Sequence, residues 1–389
     1  MSSDGWVYVT GLDPQFYPRP RFFAKCCAVQ PYWLRTFLGH YLNPRKTRRA
    51  SAEPRGAGSG SKTTISDPLS PLYDCRRQDR GLALNVMFLE ILYVPYLLKL
   101  KTKGLIVMNP HAVYAAKALH RKVIIDLMDF WSCEADRLRL NVMDYKFLKK
   151  ADLVIAWSKA IYSIVKRLTP HVEYLPFGVD LSEFDPLSIP SSLFLEKYPH
   201  VSDKVRVVYS GGVWEVGGRD VLGVEKLIKA FKIVEERKKE VALLLQTSPK
   251  VVNLARRHGV KNVVIIERTP TYNDPLRLSF FRNADIMVMT GSRYPAVYLA
   301  ERTTMFQYMA SGNAIVAEST LGVRGVLEHG KDAYIVELDK PEKLAEAILE
   351  LARDEGLRKY LGRNSRAKLE RDYTWEKLSE KARELLESV

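Results

Sequence analysis

The chain has 389 residues, of which 47% are hydrophobic and 27% are charged, and its formal net charge is +15. This length is sufficient for two domains with separate cores, and the composition excludes a disordered protein. Positive charge is concentrated in residues 1–182, which hold 27 Lys and Arg against 15 Asp and Glu, whereas residues 183–389 hold 33 against 30. An excess of 12 positive charges in one half predicts a polyanionic partner there, either an anionic membrane surface or nucleic acid. A generally basic composition is the alternative, but it would not favour one half.

The cysteines and the amino-terminal residues indicate in which cellular compartment the protein is expected. Cys26, Cys27, Cys75 and Cys133 form no Cys-x-x-Cys pair, and the histidines are not clustered. This pattern argues against a zinc site and against a disulfide framework. The first residues lack a signal-peptide pattern. We therefore expect a protein of the reducing cytoplasm.

The first half of the chain begins with a predicted strand, Trp6–Thr10, and a helix near Phe22–Val29. Residues 43–71 combine Arg and Lys residues with a Gly/Ser run and lack apolar periodicity, so we expect a flexible basic loop. The longest apolar run, Leu82–Leu98, is too short to cross a bilayer and predicts a core helix, with docking on a membrane surface as the alternative. The other predicted elements of this half are the strands Leu105–Met108, Val123–Leu127 and Leu153–Ala156 and the helices Ala112–Leu119, Asn141–Lys149 and Lys159–Leu168.

From Val205 the alternation of strands and helices is regular. Short β-rich runs separated by helical segments of about ten to fifteen residues predict parallel βαβ units. The predicted strands are Val205–Tyr209, Val241–Leu245, Val263–Ile266, Ile286–Met289, Ala314–Ala317 and Ala333–Val336. The chain ends with three predicted helices, Pro341–Arg353, Leu357–Arg371 and Trp375–Leu386.

Two segments resemble glycosyltransferase family 4. Residues 303–317, TTMFQYMASGNAIVA, read as a helix with an apolar face, a stop at Gly312 and a buried strand, and YMASGNAIVA resembles that family's nucleotide-sugar motif. Residues 172–186, VEYLPFGVDLSEFDP, resemble its interdomain segment, where Pro176 and Gly178 are expected to form a hinge. The alternative for the first segment is an ordinary amphipathic helix that ends at a C-cap glycine. The resemblance covers most of residues 105–389.

The resemblance implies an α/β protein of the GT-B fold, in which two Rossmann-like, doubly wound domains face each other across a cleft. The implied parts are an acceptor-side domain at residues 1–180, a nucleotide-sugar-binding domain at residues 181–372 and a final helix, residues 373–389, that crosses back to the first domain. The implied activity is transfer of a hexosyl or other glycosyl group from a nucleotide-diphosphate sugar. It proceeds with retention of the anomeric configuration and without a metal or other cofactor.

The same resemblance implies several donor-binding residues. Gly211 and Gly212 form a loop that lets the backbone approach a phosphate. The family's two cations after this loop fall on Val213 and Arg219, so that one cation is missing and Arg219 keeps the other. The two glutamates of the family's E-x7-E pattern fall on Leu299 and Gln307, and Gln307 takes the ribose-binding position.

Other polar residues are candidates to complete the donor site. Arg293 or Arg302 is expected to replace the missing cation, and Thr303 and Thr304 open a helix whose N-terminus attracts anions. Glu301 is the candidate to replace the displaced carboxylates. An ordinary capping or surface role is the alternative for each of these residues.

In the first half, candidate residues lie at the ends of predicted strands. Gly11 ends the first strand and is a donor-binding candidate near the diphosphate. Asp126 and Asp129 end a later strand, where ligands collect in doubly wound sheets. Asp129 is the candidate for positioning the acceptor hydroxyl, with Asp126 as the structural alternative. His111 is a second catalytic candidate, although a single His is more often structural.

These expectations combine into a glycosyltransferase that acts at the cytoplasmic face of the cell membrane on a lipid-linked or glycolipid acceptor. Gln307 and Val213 together leave open a catalytically weakened, glycosyltransferase-like partner subunit. A basic nucleic-acid-binding protein is a third hypothesis, for which the sequence contains no recognised RNA module. A dehydrogenase is not supported, because no Gly-x-Gly-x-x-Gly follows the first strand of either domain.

Overall fold

The computed structural model describes residues 5–10, 18–36, 65–67, 90–91, 93–100, 102–130, 142–216, 218–248, 250–266, 269 and 271–389. Gly11, the basic residues at 45–49 and most of the segments 43–71 and 82–98 lie outside these residues, so the predictions made for them stay predictions. Within the described residues, two separate parallel sheets lie one after the other along the chain.

Seven parallel strands form the first sheet, in the order β3-β2-β1-β4-β5-β6-β7. They are β1 (Trp6–Thr10), β2 (Gln30–Thr36), β3 (Ile65–Asp67), β4 (Gly104–Met108), β5 (Lys122–Leu127), β6 (Leu153–Ala156) and β7 (Val172–Tyr174). The helices of this part are α1 (Pro18–Cys27), α2 (residues 90–91 and 93–99), α3 (Val113–Ala118), α4 (Val142–Lys150) and α5 (Lys159–Val165).

Six parallel strands form the second sheet, in the order β12-β11-β8-β13-β14-β15. They are β8 (Val205–Ser210), β11 (Val241–Gln246), β12 (Val263–Ile265), β13 (Ile286–Met289), β14 (Ala314–Glu318) and β15 (Tyr334–Val336), and the short pair β9 (Glu215–Val216) and β10 (Arg219–Asp220) forms an antiparallel hairpin after β8. The helices are α6 (Ser192–Lys197), α7 (Val224–Arg237), α8 (Lys250–Arg257), α9 (Pro275–Arg282), α10 (Pro295–Tyr298), α11 (Thr303–Ser311), α12 (Leu321–Val326), α13 (Pro341–Arg353), α14 (Glu355–Asp372) and α15 (Trp375–Glu387).

Both sheets follow the doubly wound pattern, in which the first strand lies beside the second on one side and the fourth on the other. Central strands are apolar along their whole length because helices cover both faces of a parallel sheet. Every residue of β4, GLIVM, and five of the six residues of β11, VALLLQ, fit this rule, and all are buried. The predicted α/β class with two Rossmann-like units is confirmed. Ligands are expected where strand order reverses, between β1 and β4 and between β8 and β13.

The segment after β7 passes from the first sheet to the second and contacts the end of the chain. Gly178 has φ +65°, and a Cβ there would lie 2.6 Å from the carbonyl oxygen of Tyr373, so this turn requires glycine. Val179 N–H donates to the same oxygen at 2.9 Å, and Trp375 N–H donates to the Val179 oxygen at 2.9 Å. The last helix, α15, then packs on α1, where the rings of Phe22 and Trp375 meet edge to face at 5.5 Å.

Three local predictions differ from the structure. The first helix begins earlier than predicted, at Pro18, because proline is well tolerated in the first turn of a helix. Residues 65–67 of the predicted loop form β3, since parallel pairing with β2 supplies their backbone hydrogen-bond partners. The loop after β8 contains the hairpin of β9 and β10, which local periodicity does not predict.

Candidate functional site

The Gly211–Gly212 loop leaves the carboxyl end of β8 and is fastened to helix α11. Ser210 N–H donates to the hydroxyl of Tyr308 at 2.9 Å, and that hydroxyl lies 3.3 Å from the Ser210 carbonyl oxygen. The Tyr209 hydroxyl donates to the Gly212 oxygen at 3.1 Å. A Cβ at Gly212 would meet nothing within 4 Å, so the space beside this backbone is open. The loop and α11 therefore form one unit at the point where the strand order of the second sheet reverses.

Arg302 lies under this loop. Its guanidinium donates to the Thr290 carbonyl oxygen, just after β13, at 2.5 Å. It also lies close enough to the Tyr209 hydroxyl to oppose the rise that burial causes in the pKa of that hydroxyl. Thr303 and Thr304, in the first turn of α11, are partly exposed, and no side chain caps this helix. The free backbone N–H groups of the first turn, the helix dipole and the Arg302 charge thus act on the same region. This arrangement suits an anion such as a diphosphate.

Arg277 joins this cluster from helix α9, and sequence reasoning missed it. Its guanidinium donates to the Gln307 side-chain oxygen at 3.0 Å and stacks over the ring of Phe281 at 5.3 Å. Burial raises the pKa of the Tyr308 hydroxyl, and Arg302 and Arg277 both oppose that rise. Two guanidinium groups therefore lie near the Tyr308 hydroxyl that holds β8. No motif marked Arg277, because its partner is 30 residues away in the chain.

The structure distinguishes Arg293 and Arg219 from Arg302. Arg293 is exposed and borders a different cavity of about 630 Å³ beside the ends of β14 and β15, which Arg324, His329 and Leu338 also line. Arg219 is exposed on the hairpin that follows the glycine loop. Of the three predicted cations, the structure brings Arg302 into contact with the side chains that hold the glycine loop.

Glu301 does not take the position expected of a donor-binding carboxylate. Its side chain is 2% exposed, and both oxygens accept hydrogen bonds from the first part of the chain, from Lys159 N–H at 2.8 Å and from the Tyr174 hydroxyl at 2.6 Å. Burial raises the pKa of Glu301 to about 7, and these hydrogen bonds oppose the rise. The correction is that Glu301 joins the two sheets rather than facing an open site.

Leu299, at the position of the family's first glutamate, is also turned towards the first sheet. It is 5% exposed and belongs to a core cluster whose other buried members lie between Val7 and Val172, such as Ile161 and Val165. An apolar side chain suits this position, because its transfer from water into the packed core of the first sheet is favourable. Gln307, at the second glutamate position, is 7% exposed and stays with the Arg277 cluster.

A second group of polar residues lies at the ends of β4 and β5. Asn109 donates from its side-chain amide to Asp129 at 2.6 Å and accepts from Met128 N–H at 2.9 Å. Burial raises the pKa of Asp129 to about 6, and the Asn109 hydrogen bond opposes the rise. Asn109 has φ 62° and Ala112 has φ 56°, left-handed conformations that cost energy and often occur at functional sites. Asn109, which sequence reasoning missed, therefore orients the candidate Asp129.

His111 and Asp126 differ from Asp129 in their surroundings. Burial lowers the pKa of His111 to about 4, so its imidazole is neutral near pH 7, and its ring lies 5.9 Å from that of Tyr93. Asp126 is completely buried, where it pairs with Arg19 at 2.9 Å and accepts from Trp157 at 2.6 Å. Asp126 is thus a structural carboxylate, in agreement with the alternative given to it above.

The described residues hold no group of three or more His, Cys, Asp or Glu side chains arranged to bind a metal ion. In the same part of the chain, none of the helices combines the length and the apolar character needed to span a membrane.

Comparison with known proteins gives a family match for part of the chain and a fold for the whole. Residues 204–354 match the family described as glycosyl transferases group 1. An uncharacterized glycosyltransferase of Methanocaldococcus jannaschii is 22% identical over 249 residues, which are 62% of this chain and 59% of that protein. The chain thus spans between half and three fifths of the length of the curated relatives that it matches.

Solved structures of low sequence identity have the same fold. Sucrose-phosphate synthase from Thermosynechococcus elongatus superposes with a TM-score of 0.72 at 14% identity, covering 98% of both chains. The Anabaena protein HepE, solved in complex with UDP and glucose, superposes with a TM-score of 0.66 at 14% identity, covering 99% of this chain and all of that one. Residues 204–354 therefore match a glycosyl transferases group 1 domain, and the two sheets together have the GT-B fold of these solved structures.

Proposed function

We propose that the protein transfers a glycosyl group from a nucleoside-diphosphate sugar to an acceptor, with the diphosphate bound between the Gly211–Gly212 loop and the first turn of α11. The observation that carries this proposal is the position of Arg302, which contacts Tyr209 under the glycine loop and directly precedes the helix. Breaking the sugar–phosphate bond leaves negative charge on the diphosphate. A fixed guanidinium and oriented N–H groups stabilise that charge more in the transition state than in the substrate.

The donor is proposed to be a nucleotide sugar because the site offers donors to a diphosphate and because HepE, of the same fold, was solved with UDP and glucose. We propose that Gln307 hydrogen-bonds the ribose, since an amide can both donate and accept. Arg277 orients that amide through its 3.0 Å hydrogen bond. The base and the sugar are not specified by these contacts.

Metal independence and retention of configuration are further parts of the proposal. Arg302 and Arg277 provide positive charge close to the glycine loop, which is the contribution that a divalent cation makes in metal-dependent transferases. Retention follows the resemblance to glycosyltransferase family 4. We expect transfer to continue in the presence of EDTA, and loss of transfer on chelation would contradict this part of the proposal.

The acceptor is proposed to bind at the ends of β4 and β5, with Asp129 positioning its hydroxyl. Asp129 is held by Asn109, and with a pKa of about 6 it is mostly ionised near pH 7, so it can accept a hydrogen bond from a hydroxyl group. His111 lies after the neighbouring strand β4, and its neutral imidazole can donate or accept.

We also propose that the acceptor is held at a membrane surface. Helix α2 exposes Ile91 and Leu98 at 66% and 63% of their surface, and Pro95 between them is exposed as well. These positions are separated by four and three residues, so they lie along one face of the helix. An exposed apolar face in the half that carries an excess of 12 positive charges suits an anionic lipid surface.

The test of the proposed function is donor binding and turnover by the purified protein. UDP, GDP and ADP are titrated by calorimetry, and hydrolysis of the corresponding sugar nucleotides is followed by release of the nucleoside diphosphate. Arg302→Ala is expected to lower the affinity for the tightest-binding of these ligands by about 10- to 150-fold, because a charge-assisted contact contributes about 1.5–3 kcal/mol.

Arg363→Ala is the matched control, since Arg363 is exposed and hydrogen-bonds a carbonyl oxygen of its own helix, α14. Arg219→Ala is expected to have a smaller effect than Arg302→Ala. If the wild type binds none of the three nucleoside diphosphates, or if Arg302→Ala binds as tightly as the wild type, the proposed site is wrong.

A catalytically weakened partner subunit is the second candidate function. The observation that favours it is the pair of replaced glutamates, since Leu299 is buried against the first sheet and Gln307 carries no charge. Such a protein would bind a nucleoside diphosphate but release no product from any sugar nucleotide, so the same experiment separates the two functions.

A further inference from the structure

Residues 298–302, which we call the donor strap, connect α10 to the first residue of the proposed diphosphate helix. The strap belongs to the second half of the chain, yet its side chains contact the first. Tyr298 and Leu299 pack in the core cluster of the first sheet, and both carboxylate oxygens of Glu301 accept hydrogen bonds from Lys159 N–H and Tyr174. Arg302, the next residue, points to Tyr209 and Thr290 in the second half. The strap is therefore in contact with both halves of the chain.

Tyr174 is the central contact of the strap. Its hydroxyl donates to Glu301 at 2.6 Å, and Tyr373 lies close enough to contribute to the rise of the Tyr174 pKa. The Tyr373 ring in turn packs on Phe306 of α11, with ring centroids 5.2 Å apart. Tyr174, in the last strand of the first sheet, thus contacts the strap at Glu301 and lies near Tyr373, which packs on α11.

Helices α12 and α5 also contact the strap. A Cβ at Gly322 would lie 1.8 Å from the Ala300 carbonyl oxygen, so helix α12 approaches the strap backbone as closely as glycine permits. Lys159, whose N–H binds Glu301, also donates from its ammonium group to the Gly325 oxygen at 2.8 Å. The start of α5 therefore hydrogen-bonds both the strap and α12.

We propose that Tyr174 is a positioning residue for the donor site: through Glu301 it fixes the strap so that Arg302 and the first turn of α11 face the diphosphate. Tyr174 itself touches no part of the donor. The inference rests on the proposed function, because it concerns the same diphosphate site. It assigns Glu301 a role in placing Arg302 rather than in binding the sugar or the ribose.

The experiment measures UDP, GDP and ADP affinity by calorimetry for Tyr174→Phe, which removes one oxygen and keeps the ring. We expect affinity for the tightest of these probes to fall about 5- to 10-fold, the effect of one lost hydrogen bond transmitted to the site. Tyr162→Phe is the matched control, because the Tyr162 hydroxyl, on α5, accepts a hydrogen bond from the Lys166 ammonium group at 2.9 Å. Glu301→Gln is the second variant and is expected to show a loss of similar size, because its NH2 group replaces one of the two accepting oxygens and would face a donor.

A double-mutant cycle separates positioning from a general loss of structure. In a protein that already carries Arg302→Lys, adding Tyr174→Phe is expected to lower nucleoside-diphosphate affinity by less than about twofold. The reason is that the effect of Tyr174 acts through the Arg302 guanidinium, which this protein lacks. An equal loss in both backgrounds, or unchanged affinity in Tyr174→Phe and Glu301→Gln, would overturn the inference and leave the donor site intact. If the wild type bound none of the three probes, the proposed function would fall, and this inference with it.

Discussion

The hydroxyl of Tyr308 lies 2.9 Å from the backbone nitrogen of Ser210, and this contact fastens the helix that begins at Thr303 to the end of the first strand of the second sheet. Both groups are buried, so neither has water as an alternative partner. The glycine loop that follows Ser210 and the proposed anion-binding turn of α11 are therefore joined through buried groups. A diphosphate site needs such a connection, since oriented donors stabilise charge best when they do not reorganise.

Removing this hydroxyl tests the connection. Tyr308→Phe leaves the buried Ser210 N–H without its partner, which is expected to lower the free energy of unfolding by about 1–3 kcal/mol. The measurement is urea unfolding, with Tyr360→Phe as the control, since Tyr360 is 45% exposed. We also expect weaker binding of UDP. Equal stability of the two variants would show that the Ser210 N–H finds another partner.

Gln307→Glu places a carboxylate where the family has one. The new charge would meet the Arg277 guanidinium, which already lies 3.0 Å from the Gln307 oxygen, and a charge-assisted hydrogen bond is stronger than a neutral one. We expect nucleoside-diphosphate affinity to be preserved or improved, measured by calorimetry. A folded Gln307→Glu protein that no longer binds the ligand would remove Gln307 from the ribose-binding position.

Two buried glutamates predict how stability depends on pH. Burial raises the pKa of Glu90 and of Glu301 from 4.5 to about 7 in the folded protein. Because the folded value is the higher one, each group contributes stability that is complete below pH 4.5 and is lost as the pH rises through 7. Between pH 8 and pH 6 each group should therefore add roughly 1 kcal/mol to the free energy of unfolding.

Glu301→Gln checks this sign, because an amide does not titrate. Urea unfolding at the two pH values should show a smaller gain on acidification for Glu301→Gln than for the wild type. Glu387→Gln, at an exposed position in the last helix, should keep the wild-type gain. A Glu301→Gln protein that gained as much stability as the wild type would mean that Glu301 is ionised in the folded protein at both pH values.

The Asn109–Asp129 pair predicts a shift in the pH dependence of transfer. Asn109→Gly keeps the left-handed backbone, since glycine adopts φ 62° without strain, but it removes the hydrogen bond to Asp129. That hydrogen bond opposes the rise of the Asp129 pKa, so its loss should move the pKa above 6. The ionised form of Asp129 then disappears at higher pH, and the acid limb of kcat/KM should move to higher pH. An unmoved acid limb would separate Asp129 from catalysis.

Membrane binding is tested with the exposed face of α2 and with the basic residues of the predicted loop. Wild-type protein should sediment with anionic liposomes at low salt and be released at high salt. Two variants should bind less, the double variant Ile91→Ser with Leu98→Ser and the quadruple variant in which Arg45, Lys46, Arg48 and Arg49 become Ser. Those four basic residues lie outside the described part of the chain, so the second variant tests a prediction from the sequence alone.

The outcomes of the liposome experiment decide between acceptors. If the wild-type protein does not sediment with the liposomes at low salt, a soluble acceptor becomes the better proposal. If both variants bind as well as the wild type, neither α2 nor the basic loop holds the protein at the surface. RNA added as a competitor would reveal a nucleic-acid partner by displacing the liposomes at low salt.

Local sequence patterns are sufficient to predict the architecture of this protein without knowledge of any tertiary contact. Buried strands such as Gly104–Met108 are continuous apolar runs, and the segment that ends in Ala314–Glu318 combines a helical face, a glycine stop and a strand. Such patterns depend on neighbours a few residues away, which is why the doubly wound class and the position of the glycine loop follow from the sequence. The resemblance of residues 303–317 to a nucleotide-sugar motif has the same local origin.

The roles of individual charged residues were decided by tertiary structure. Arg302 and Arg293 are equivalent in the sequence, but only the fold places one beside Tyr209 and the other at a separate cavity. Glu301 has its partners at Lys159 and Tyr174, well over one hundred residues away, and this decides that it joins the two halves instead of facing the donor. A side chain's charge and burial depend on contacts between distant segments of the chain. Hydrophobic periodicity does not indicate which distant segment packs against a given residue.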